Sequence, residues 1–517
     1  MADMLKLMGE SIPEFINQLF TWEMLLALVV GIGGGLLIGA LPGLNPAAGI
    51  TLLLPLTYTM SPVASLTMLT AIYAAGIMGG SYSAILLRTP GTSSAAATVT
   101  DGHALALKGQ PLKALQVSTF SSGIGGIISA IALLFISPML ARVSIKFDSP
   151  EYFLLGLFGI TIIASLASDS LLKGMISGLF GMCLSCIGQF PLESTYRYTF
   201  GIRALQTGLN STVILLGLFS VSQVIIQVDR QRRGAVHTGK VEMVKLSGKG
   251  MDSSDWKRVL PIIMVCSVIG IFVGILPGAG AAIGAFIGYD QAKRMSKKEN
   301  KAEFGQGAVE GIAGPEAANN AVTGGALIPM MTLSIPGSPV AAILLSALMI
   351  HGLTPGFSLF TEHASDTYPI LFGFLLTNII MIPLGLLFVR GMKKVVDLPP
   401  AVLYSVIIVL VFVGTYSISH SVSDLIVVAI FGLFGYFTRL CHYNDSGLCL
   451  GLILGTMTEK GLRRSFQLCR GDIVAYFLAR PVCIALMILL VIVLIIPLIK
   501  AIRKKAQKKK DLFTEGA

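Results

Sequence analysis

Long apolar runs separated by short polar loops are the dominant pattern along this chain. The strongest runs are Met24–Leu41, Val117–Leu140, Phe153–Ser168, Leu209–Val228, Tyr368–Val389, Ala401–Gly414, Asp424–Phe437 and Val474–Leu498. An α-helix needs about 20 mainly apolar residues to cross the hydrocarbon core of a bilayer, so these runs predict transmembrane helices. The chain has 517 residues, and this length leaves room for roughly ten to twelve spanning or half-spanning segments. We therefore expect an all-α polytopic membrane protein.

The composition agrees with a lipid environment. Only 13% of the residues are charged and the mean hydropathy is +0.79, whereas a soluble domain carries about 25% charged residues. The formal net charge of +11 is spread over short loops and the tail, so it indicates membrane topology and not nucleic-acid binding. The N-terminus lacks the layout of a signal peptide, and we expect the first apolar run to be retained in the membrane.

Three stretches are distinctly basic: Asp229–Arg258, Gln291–Lys301 and Lys500–Lys510. Because Lys and Arg accumulate in cytoplasmic loops, all three stretches and the tail 500–517 are expected in the cytoplasm. The segment before Met24 is net acidic and is expected outside. The membrane topology of residues 448–480 stays open. Their arginines favour the cytoplasmic side, but a single span from there would then place the basic tail outside. An amphipathic or re-entrant stretch is one solution.

A short apolar segment lies between the first two basic stretches. It contains only 31 residues, Val259–Tyr289. Two complete spans need about 40 residues plus a turn, and a single span would place one basic loop on the wrong side. We therefore predict a re-entrant hairpin, or two short half-helices, over residues 259–290, which enters and leaves on the cytoplasmic face.

Two regions of the chain resemble each other. GALPGLNPAAGITLLLPL begins at Gly39 and GILPGAGAAIGAFIGY begins at Gly274. Further along, GGSYSAILLRTPGTSSAAAT covers residues 79–98 and GGALIPMMTLSIPGSPVAAILL covers residues 324–345. Each half holds one L-P-G and one P-G motif in the same order, with equivalent prolines 235 and 246 residues apart. The pattern indicates a duplication.

The duplication defines the expected domains. The first membrane repeat covers residues 1–228, with broken segments near 39–60 and 79–98. A basic cytoplasmic loop follows at 229–258, and the second repeat covers 259–499, with a broken segment at 315–345 and further C-terminal helices. Because the N-terminus is expected outside while the hairpin opens to the cytoplasm, we predict that the repeats are inverted in the membrane.

The Pro-Gly motifs predict interrupted helices. Pro lacks a backbone N–H and Gly permits sharp turns, so each motif frees backbone amides and carbonyls. Such backbone is tolerated at membrane depth only where it is buried in protein or lines a wet cavity, and paired interruptions point to the binding site of a transporter. The predicted breaks are at Pro42, Gly43, Pro90, Gly91, Pro277, Gly278, Pro336 and Gly337.

Small polar residues cluster beside these motifs. Their hydroxyls and amides, with the N–H groups of half-helix N-termini, can replace the hydration of a carboxylate. The candidate substrate-binding residues are Asn45, Arg88, Thr89, Gly91, Thr92, Ser93, Ser94, Asn319, Asn320, Ser334, Gly337 and Ser338. For any single Ser or Thr, close helix packing is the alternative explanation.

Charged residues in apolar surroundings are costly and are therefore functional candidates. Arg88 either pairs with a substrate carboxylate or extends to the membrane surface. Glu316 is predicted to take part in ion coupling, together with Asn320 and Thr323. The alternative for Glu316 is a helix N-terminus near the cytoplasmic surface, since Pro315 suits a first helical position.

Other chemistry has weaker support in the sequence. Asp101 is expected in a turn near the opposite interface. His103 and His351 have no further ligands nearby, so no metal is predicted apart from Na⁺ as a coupling ion. There is no G-x-x-x-x-G-K-[ST] motif to hold ATP, and no H-E-x-x-H or G-x-S-x-G motif that would favour an enzyme. The energy source is expected to be an ion gradient or a partner.

Four stretches together resemble the tripartite tricarboxylate transporter family, and within it the TctA-like large membrane subunit. They are LPGLNPAAGITLLLPL, ILLRTPGTSSAAAT, GPEAANNAVTGGALIPMMTLSIPGSP and ILGTMTEKGLRRS. The resemblance covers nearly the whole chain. Arg88-Thr89 departs from the family pattern, where Asn commonly precedes the first P-G motif, and this bears on the charge preference for substrate. TMTEKGLRRS replaces the more usual PLAEENLRRS, which leaves the subunit type unchanged.

The resemblance implies a bacterial inner-membrane permease that imports carboxylates, such as citrate or related organic acids, driven by Na⁺ or H⁺. It implies two partners, a small four-helix membrane subunit (TctB-like) and a periplasmic solute-binding protein (TctC-like). It implies no cofactor and no enzymatic activity. The alternative is a passive anion channel or a membrane scaffold, which would need no binding protein.

Overall fold

The chain folds into two compact units. The computed structural model describes residues 2–41, 44–166, 171–190, 195–233, 244, 246, 248–278, 280–396, 400–443, 445–469 and 471–493. Pro42, Gly43 and the predicted cytoplasmic tail 500–517 lie outside the described residues. The large unit comprises residues 1–144 and 210–437, and the small unit comprises 145–209 and 438–517.

Helices dominate both units. In chain order they are α1 (Ala2–Leu19), α2 (Trp22–Ala40), α3 (Pro46–Leu53), α4 (Pro62–Leu87), α5 (Ala96–Leu107), α6 (Pro111–Ser144), α7 (Ser149–Leu166), α8 (Leu171–Ser185), α9 (Ser211–Leu215), α10 (Ser222–Arg232), α11 (Ser253–Ile275), α12 (Gly280–Met295), α13 (Val309–Leu333), α14 (Pro339–Ile350), α15 (Ala364–Val396), α16 (Pro400–Ser419), α17 (Val422–Leu440), α18 (Asp445–Leu468), α19 (Ile473–Leu478) and α20 (Pro481–Val493). A π-helical turn, Leu216–Val221, joins α9 and α10 into one continuous helix.

Short elements connect these helices. The 3₁₀ turns are Leu54–Thr59, Arg203–Leu205, Asn300–Glu303 and Ser358–Phe360. In the small unit, β1 (Gly188–Gln189) and β2 (Tyr196–Arg197) form an antiparallel ribbon in which Gly188 faces Arg197. Strand structure is otherwise absent from the described part of the chain.

The predicted fold class is confirmed. Within the described residues, seven helices are long and apolar enough to cross a membrane: Trp22–Ala40, Pro62–Leu87, Pro111–Ser144, Ser211–Arg232, Ser253–Ile275, Ala364–Gly391 and Val422–Leu440. Four shorter apolar helices accompany them: Leu172–Ser185, Pro339–Ile350, Tyr404–Ser417 and Pro481–Val493. The chain is therefore an all-α polytopic membrane protein, with a number of apolar helices inside the predicted range.

Polar-proline pairs start three helices of the large unit. Asn45, Ser61 and Ser338 each precede a proline, and each accepts a backbone N–H from the first turn of α3, α4 or α14. A side-chain oxygen at this position satisfies an amide that has no helical partner, and the following proline loses nothing because its missing N–H would be unpaired there. The sequence thus encodes the restart of the chain after two of the breaks.

The two most deeply buried helices are α4 and α13. Residues 63–87 of α4 and 309–332 of α13 are buried without interruption. Neither helix stands out as an apolar run, because both are rich in Gly and Ala, with Ser and Thr in α4 and Asn and Thr in α13. Small side chains permit the close helix approach that packing in a membrane requires. In the large unit α4 packs on α2, while α13 packs on α11, α12 and α6.

The hairpin predicted over residues 259–290 is formed by α11 and α12, but its first arm is longer than expected. Helix α11 starts at Ser253 because Asp252 and Asp255 form a capping box, in which each carboxylate accepts a backbone N–H of the other end. Its 23 residues span about 34 Å at 1.5 Å per residue, enough to cross a hydrocarbon core. Whether the hairpin is re-entrant stays a prediction.

The same order of elements occurs twice in the large unit. Helices α2 to α6 and α11 to α15 follow each other in the same order. Helices α4 and α13 have 26 and 25 residues and α5 and α14 have 12 each, whereas α3 has 8 and α12 has 16. A Cβ built on Gly39 would lie 1.9 Å from the carbonyl oxygen of Gly76, and one on Gly274 would lie 2.6 Å from that of Val322. Gly39 and Gly274 are 235 residues apart, and Gly76 and Val322 are 246 residues apart, the same separations as those between the equivalent prolines. The inverted orientation of the halves stays a prediction.

The small unit has its own polar centre. The Arg197 guanidinium donates to both carboxylate oxygens of Glu459, at 2.6 and 2.9 Å, and Arg463 donates to the same group at 2.9 Å. Both guanidinium groups lie over the ring of Phe190. These contacts fasten the ribbon to α18, which packs on α7 and α8. The compact units do not coincide with the predicted repeats, since residues 145–209 belong to the small unit.

Candidate functional site

Two helix breaks of the large unit share an uncommon backbone conformation. Helix α4 ends at Leu87, and Arg88 follows with φ 57°; helix α13 ends at Leu333, and Ser334 follows with φ 59°. Left-handed backbone is uncommon for residues other than glycine. The two positions are 246 residues apart, so the helices before the two equivalent breaks end in the same backbone conformation.

The loop at residues 88–95 folds back onto the helices that precede it. The Gly91 N–H donates to the Gly80 carbonyl at 3.1 Å, and a Cβ on Gly91 would lie 1.9 Å from the Gly39 carbonyl oxygen. Only glycine fits this approach. Thr92 and Ser94 are buried and their hydroxyls lie 3.0 Å apart. By contrast, the exposed side of this loop carries Arg88, Thr89, Pro90 and Ser93.

The loop at residues 334–338 joins two breaks and reaches the other half of the unit. The Gly278 N–H donates to the Gly337 carbonyl at 3.0 Å, which links the α11–α12 turn to the α13–α14 loop. The Ser338 hydroxyl accepts the Ala341 N–H at 3.1 Å, and it lies 3.1 Å from the Tyr73 hydroxyl of α4. The second break therefore contacts the long helix of the first half.

Glu316 lies at the centre of a hydroxyl cluster. Its side chain is fully buried, and its two carboxylate oxygens accept hydrogen bonds from Thr98 of α5 and from Ser122 of α6, the latter at 2.8 Å. Ser81 of α4 and Ser118 of α6 face the same carboxylate. Helix α13 starts at Val309, so the alternative of a helix N-terminus near the surface is wrong. Glu316 lies about two turns into the helix and is fully buried.

The next turn of α13 carries two buried amides. Asn319 and Asn320 are fully buried, and neither the nitrogen nor the oxygen of either side chain has a hydrogen-bond partner among the described residues. The Thr323 hydroxyl donates to the backbone carbonyl of Asn320 at 2.6 Å. Because residues four apart share a helix face, Asn320 points to the same side as Glu316. Unpaired buried amides are rare, and they indicate bound water, an ion or a ligand.

The structure brings together only part of the predicted site. Glu316, Asn319 and Asn320 line one stretch of α13, and Ser338 contacts α4. Asn45 is engaged in capping α3, where its side-chain oxygen accepts the Ala48 N–H at 2.8 Å. Arg88, Thr89 and Ser93 are exposed and therefore do not belong to the buried cluster.

Ser118 and Ser122 were absent from the predicted site, although they belong to the apolar run starting at Val117. Their four-residue spacing places both on one helix face, and this face of α6 meets α13. A serine pair at helical spacing within a transmembrane run is a signal that could have identified them. Thr98 lies on α5, one turn before Asp101, and its contact with α13 depends on the tertiary fold.

Asp101 was expected in a turn, and this expectation is wrong. It lies within α5 and is fully buried, and it accepts hydrogen bonds from the backbone that leads into α13. Its carboxylate accepts the N–H groups of Gly305, Gly307 and Ala308 at 2.8, 2.8 and 3.0 Å and the hydroxyl of Tyr289 at 2.8 Å. Helix α13 has no capping side chain of its own, and Asp101 binds the backbone of residues 305–308 directly before it, which ties α5 to the second half.

The histidines lie apart from this cluster. His103 pairs through Nδ1 with the Ile85 carbonyl at 2.9 Å, and His351 follows the end of α14. In the described part of the chain, three or more His, Cys, Asp or Glu side chains never come together in a way that could hold a metal ion.

Comparison with known proteins gives a consistent result. The model of the tripartite tricarboxylate transporter TctA family matches residues 25–450. An uncharacterized 52.8 kDa protein in the TAR-I ttuC' 3' region of Agrobacterium vitis is 34% identical over 458 residues, which cover 89% of this chain and 90% of that protein. An uncharacterized protein in the TAR-II ttuC' 3' region of the same organism is 34% identical over 218 residues, 42% of this chain and 89% of its own length. No solved structure matches the chain significantly.

Proposed function

The chain belongs to the tripartite tricarboxylate transporter TctA family, and we propose that it is the large permease subunit of a binding-protein-dependent carboxylate importer. Tricarboxylates such as citrate, or related organic acids, are the proposed substrates. The proposed partners are a small four-helix membrane subunit (TctB-like) and a periplasmic solute-binding protein (TctC-like). Membership of a transporter family favours transport over enzymatic activity.

The unpaired amides of Asn319 and Asn320 are the observation that carries this proposal. Leaving one buried polar group unpaired costs about 1–3 kcal/mol. Two adjacent side chains with all their polar atoms unpaired therefore favour a site whose ligand supplies the missing partners. Their helix is broken at the end of the buried stretch, the arrangement in which transporters bind substrates near the middle of the membrane.

The duplication suggests how the substrate is held. Tyr73 and Ser338 are in contact across the two halves. In the duplication Asn319 is equivalent to Tyr73, and Thr92 is equivalent to Ser338, each 246 residues away. We therefore assign the carboxylate to the space between Asn319 and the hydroxyls of Thr92 and Ser94. A carboxylate accepts hydrogen bonds from amide N–H and hydroxyl groups, and the buried surroundings strengthen them.

The remaining predicted residues enter the proposal in supporting roles. Arg88, at the exposed side of the first loop, would attract the anion before it enters the site. The glycines of the breaks would let backbone amides approach the substrate, and movement of the paired breaks would alternate access between the two sides. Thr89 and Ser93 belong to the same entrance, whereas Asn45, Ser334, Gly337 and Ser338 shape the backbone around the site.

The proposal includes a cellular setting. The chain would reside in the inner membrane of a bacterium, with inverted repeats, the basic tail in the cytoplasm and the binding protein on the opposite side. A Na⁺ or proton gradient would supply the energy, with Glu316, Asn320 and Thr323 as the coupling residues. The three basic stretches support this orientation through the cytoplasmic excess of Lys and Arg.

The test is uptake of labelled citrate, and of a panel of di- and tricarboxylates, into proteoliposomes that contain the chain and both partners. We expect saturable uptake that requires the binding protein and an imposed Na⁺ or proton gradient. The Asn319→Ala variant should reduce uptake about tenfold or more, because a hydrogen bond to a charged group contributes about 1.5–3 kcal/mol. Ser417→Ala, an exposed position on α16, is the matched control and should transport normally. Flux that does not saturate and needs no binding protein would favour the passive channel instead.

A further inference from the structure

Glu316 presents an electrostatic problem that the protein alone does not solve. Its carboxylate is completely buried, and no Lys, Arg or His within the described ranges forms an ion pair with it. Its partners are hydroxyl groups, which are neutral. A buried, unpaired charge is strongly unfavourable, so the group must take up either a proton or a cation.

The atoms around Glu316 form an oxygen shell. Two carboxylate oxygens and the hydroxyl oxygens of Thr98, Ser122, Ser81 and Ser118 converge from four helices, α13, α5, α6 and α4. Ser81 and Ser118 are fully buried, and their hydroxyls face the Glu316 carboxylate without meeting the geometry of a full hydrogen bond. The unpaired Asn320 oxygen lies one turn further along the same face of α13. Hard cations prefer such a set of oxygen ligands.

We propose that this oxygen shell is a binding site for one dehydrated Na⁺ ion, with Glu316 as its only charged ligand. One carboxylate balances one monovalent charge, whereas a divalent ion would leave a net positive charge buried. A proton would bond to only one of these oxygens, whereas two carboxylate and four hydroxyl oxygens together suit the coordination of a hard cation. The inference deepens the proposed function, since the bound ion would be the one that drives transport.

The positions that the duplication makes equivalent to Glu316 and Thr98 do not form a second oxygen shell. Thr70 of α4 occupies the position that corresponds to Glu316, and Leu344 of α14 occupies the position that corresponds to Thr98, each 246 residues away. Both line a small apolar cavity with Leu66 and Met331. Without a carboxylate and its hydroxyls this cavity cannot neutralise or coordinate a cation, so we expect a single Na⁺ at this pair of positions.

The experiment measures Na⁺ binding to the purified full chain in lipid nanodiscs, without substrate or partner proteins. The midpoint of thermal unfolding is recorded against increasing NaCl, with choline chloride keeping the ionic strength constant. A ligand that binds only the folded state raises the midpoint with its concentration. We expect a saturable, Na⁺-specific rise for the wild type, no rise for Glu316→Gln, and an increase of about tenfold in the half-saturating concentration for Ser122→Ala or Thr98→Val.

Two controls keep the result interpretable. Thr70→Val changes the equivalent position in the other half and should respond to Na⁺ like the wild type. If Glu316→Gln does not fold, Ser122→Ala and Thr98→Val carry the test. Identical responses to Na⁺ and choline, or a midpoint that depends on pH and not on Na⁺, would overturn the Na⁺ site in favour of a proton site. Carboxylate transport is not part of this measurement, so failure of one proposal leaves the other standing.

Discussion

Two buried carboxylates of the large unit are stabilised in different ways. Asp101 accepts the N–H groups of Gly305, Gly307 and Ala308, just before α13, and one tyrosine hydroxyl, so backbone dipoles beside a helix N-terminus stabilise its charge. Glu316 accepts only hydroxyl groups, which provide no compensating charge. This difference makes Asp101 a structural residue and leaves the charge of Glu316 without compensation from the described residues.

Removing Asp101 should destabilise the large unit. Asp101→Ala leaves three amide groups and the Tyr289 hydroxyl unpaired, and we expect a loss of about 3 kcal/mol or more in the free energy of unfolding. Tyr289→Phe removes only one of the four hydrogen bonds and should cost about 1 kcal/mol. Thermal or denaturant unfolding in detergent measures both variants. Equal stability losses would contradict the conclusion that Asp101 holds the backbone of residues 305–308 in place.

At the scale of helices, packing depends on glycines that face a neighbouring backbone. Gly31, Gly35 and Gly39 recur every fourth residue on α2, and a Cβ at any of them would lie within 3.0 Å of atoms of α4. This spacing of small residues lets two transmembrane helices approach closely. On α11, Gly270 and Gly274 are the equivalents of Gly35 and Gly39 and meet the backbone of α13 in the same way, whereas Cys266 occupies the position equivalent to Gly31.

A matched pair on α2 tests this packing. Gly39→Ala would place a methyl group 1.9 Å from a carbonyl oxygen of α4, whereas Gly33→Ala meets nothing within 4 Å. We expect Gly39→Ala to destabilise the protein by about 1–3 kcal/mol or to prevent folding. Gly33→Ala should be neutral or stabilising by up to about 1 kcal/mol, because Ala favours the helix. The yield of monodisperse protein and its unfolding midpoint distinguish the two, and equal behaviour would contradict the close contact.

The helix-scale predictions from sequence were right where a local signal exists. Polar-proline pairs begin α3 and α14 at the predicted motifs. The first arm of the hairpin was predicted too short, because the capping box at Asp252 and Asp255 lies in a stretch interpreted only as a basic loop. The buried helices α4 and α13 were not recognised as apolar runs, since their contacts are made by small and polar residues.

At the scale of the whole molecule, the small unit should respond to acid. Hydrogen bonds from Arg197 hold the pKa of Glu459 below its usual value, and α18 is not among the candidate membrane spans. A carboxylate with a lowered pKa stabilises the folded state above its unfolded pKa, and this contribution is lost as the pH falls through the folded value. The small unit should therefore lose stability below about pH 4.5.

The Glu459→Gln variant tests this pH dependence. It should be less stable than the wild type at neutral pH, and its stability should change less between about pH 5 and pH 3. Unfolding is followed by limited proteolysis within 145–209, which reports on the small unit separately from the large one. Arg233→Ala, which removes an exposed ion pair with Asp229 in the large unit, is the control and should leave the pH profile unchanged. A parallel pH profile for wild type and Glu459→Gln would exclude this role.

The sequence by itself determined the class of protein, the family, the duplication motifs and the residue types at the breaks. These properties depend on hydrophobic runs and on Pro and Gly, whose effects act over a few neighbouring residues. Asn320 was found as a small polar residue in the region of a break, and Glu316 as a charged residue in apolar surroundings.

Only the tertiary structure decided which of these residues share a site. Thr98, Ser122 and Ser81 reach Glu316 from three other helices, and Asp101 reaches the start of α13 across about two hundred residues of chain, a separation for which local propensity carries no information. A single Ser or Thr in a transmembrane helix reads as a packing residue until its neighbours are known. The oxygen shell exists because four helices converge on one carboxylate, and convergence is a property of the fold and not of any segment.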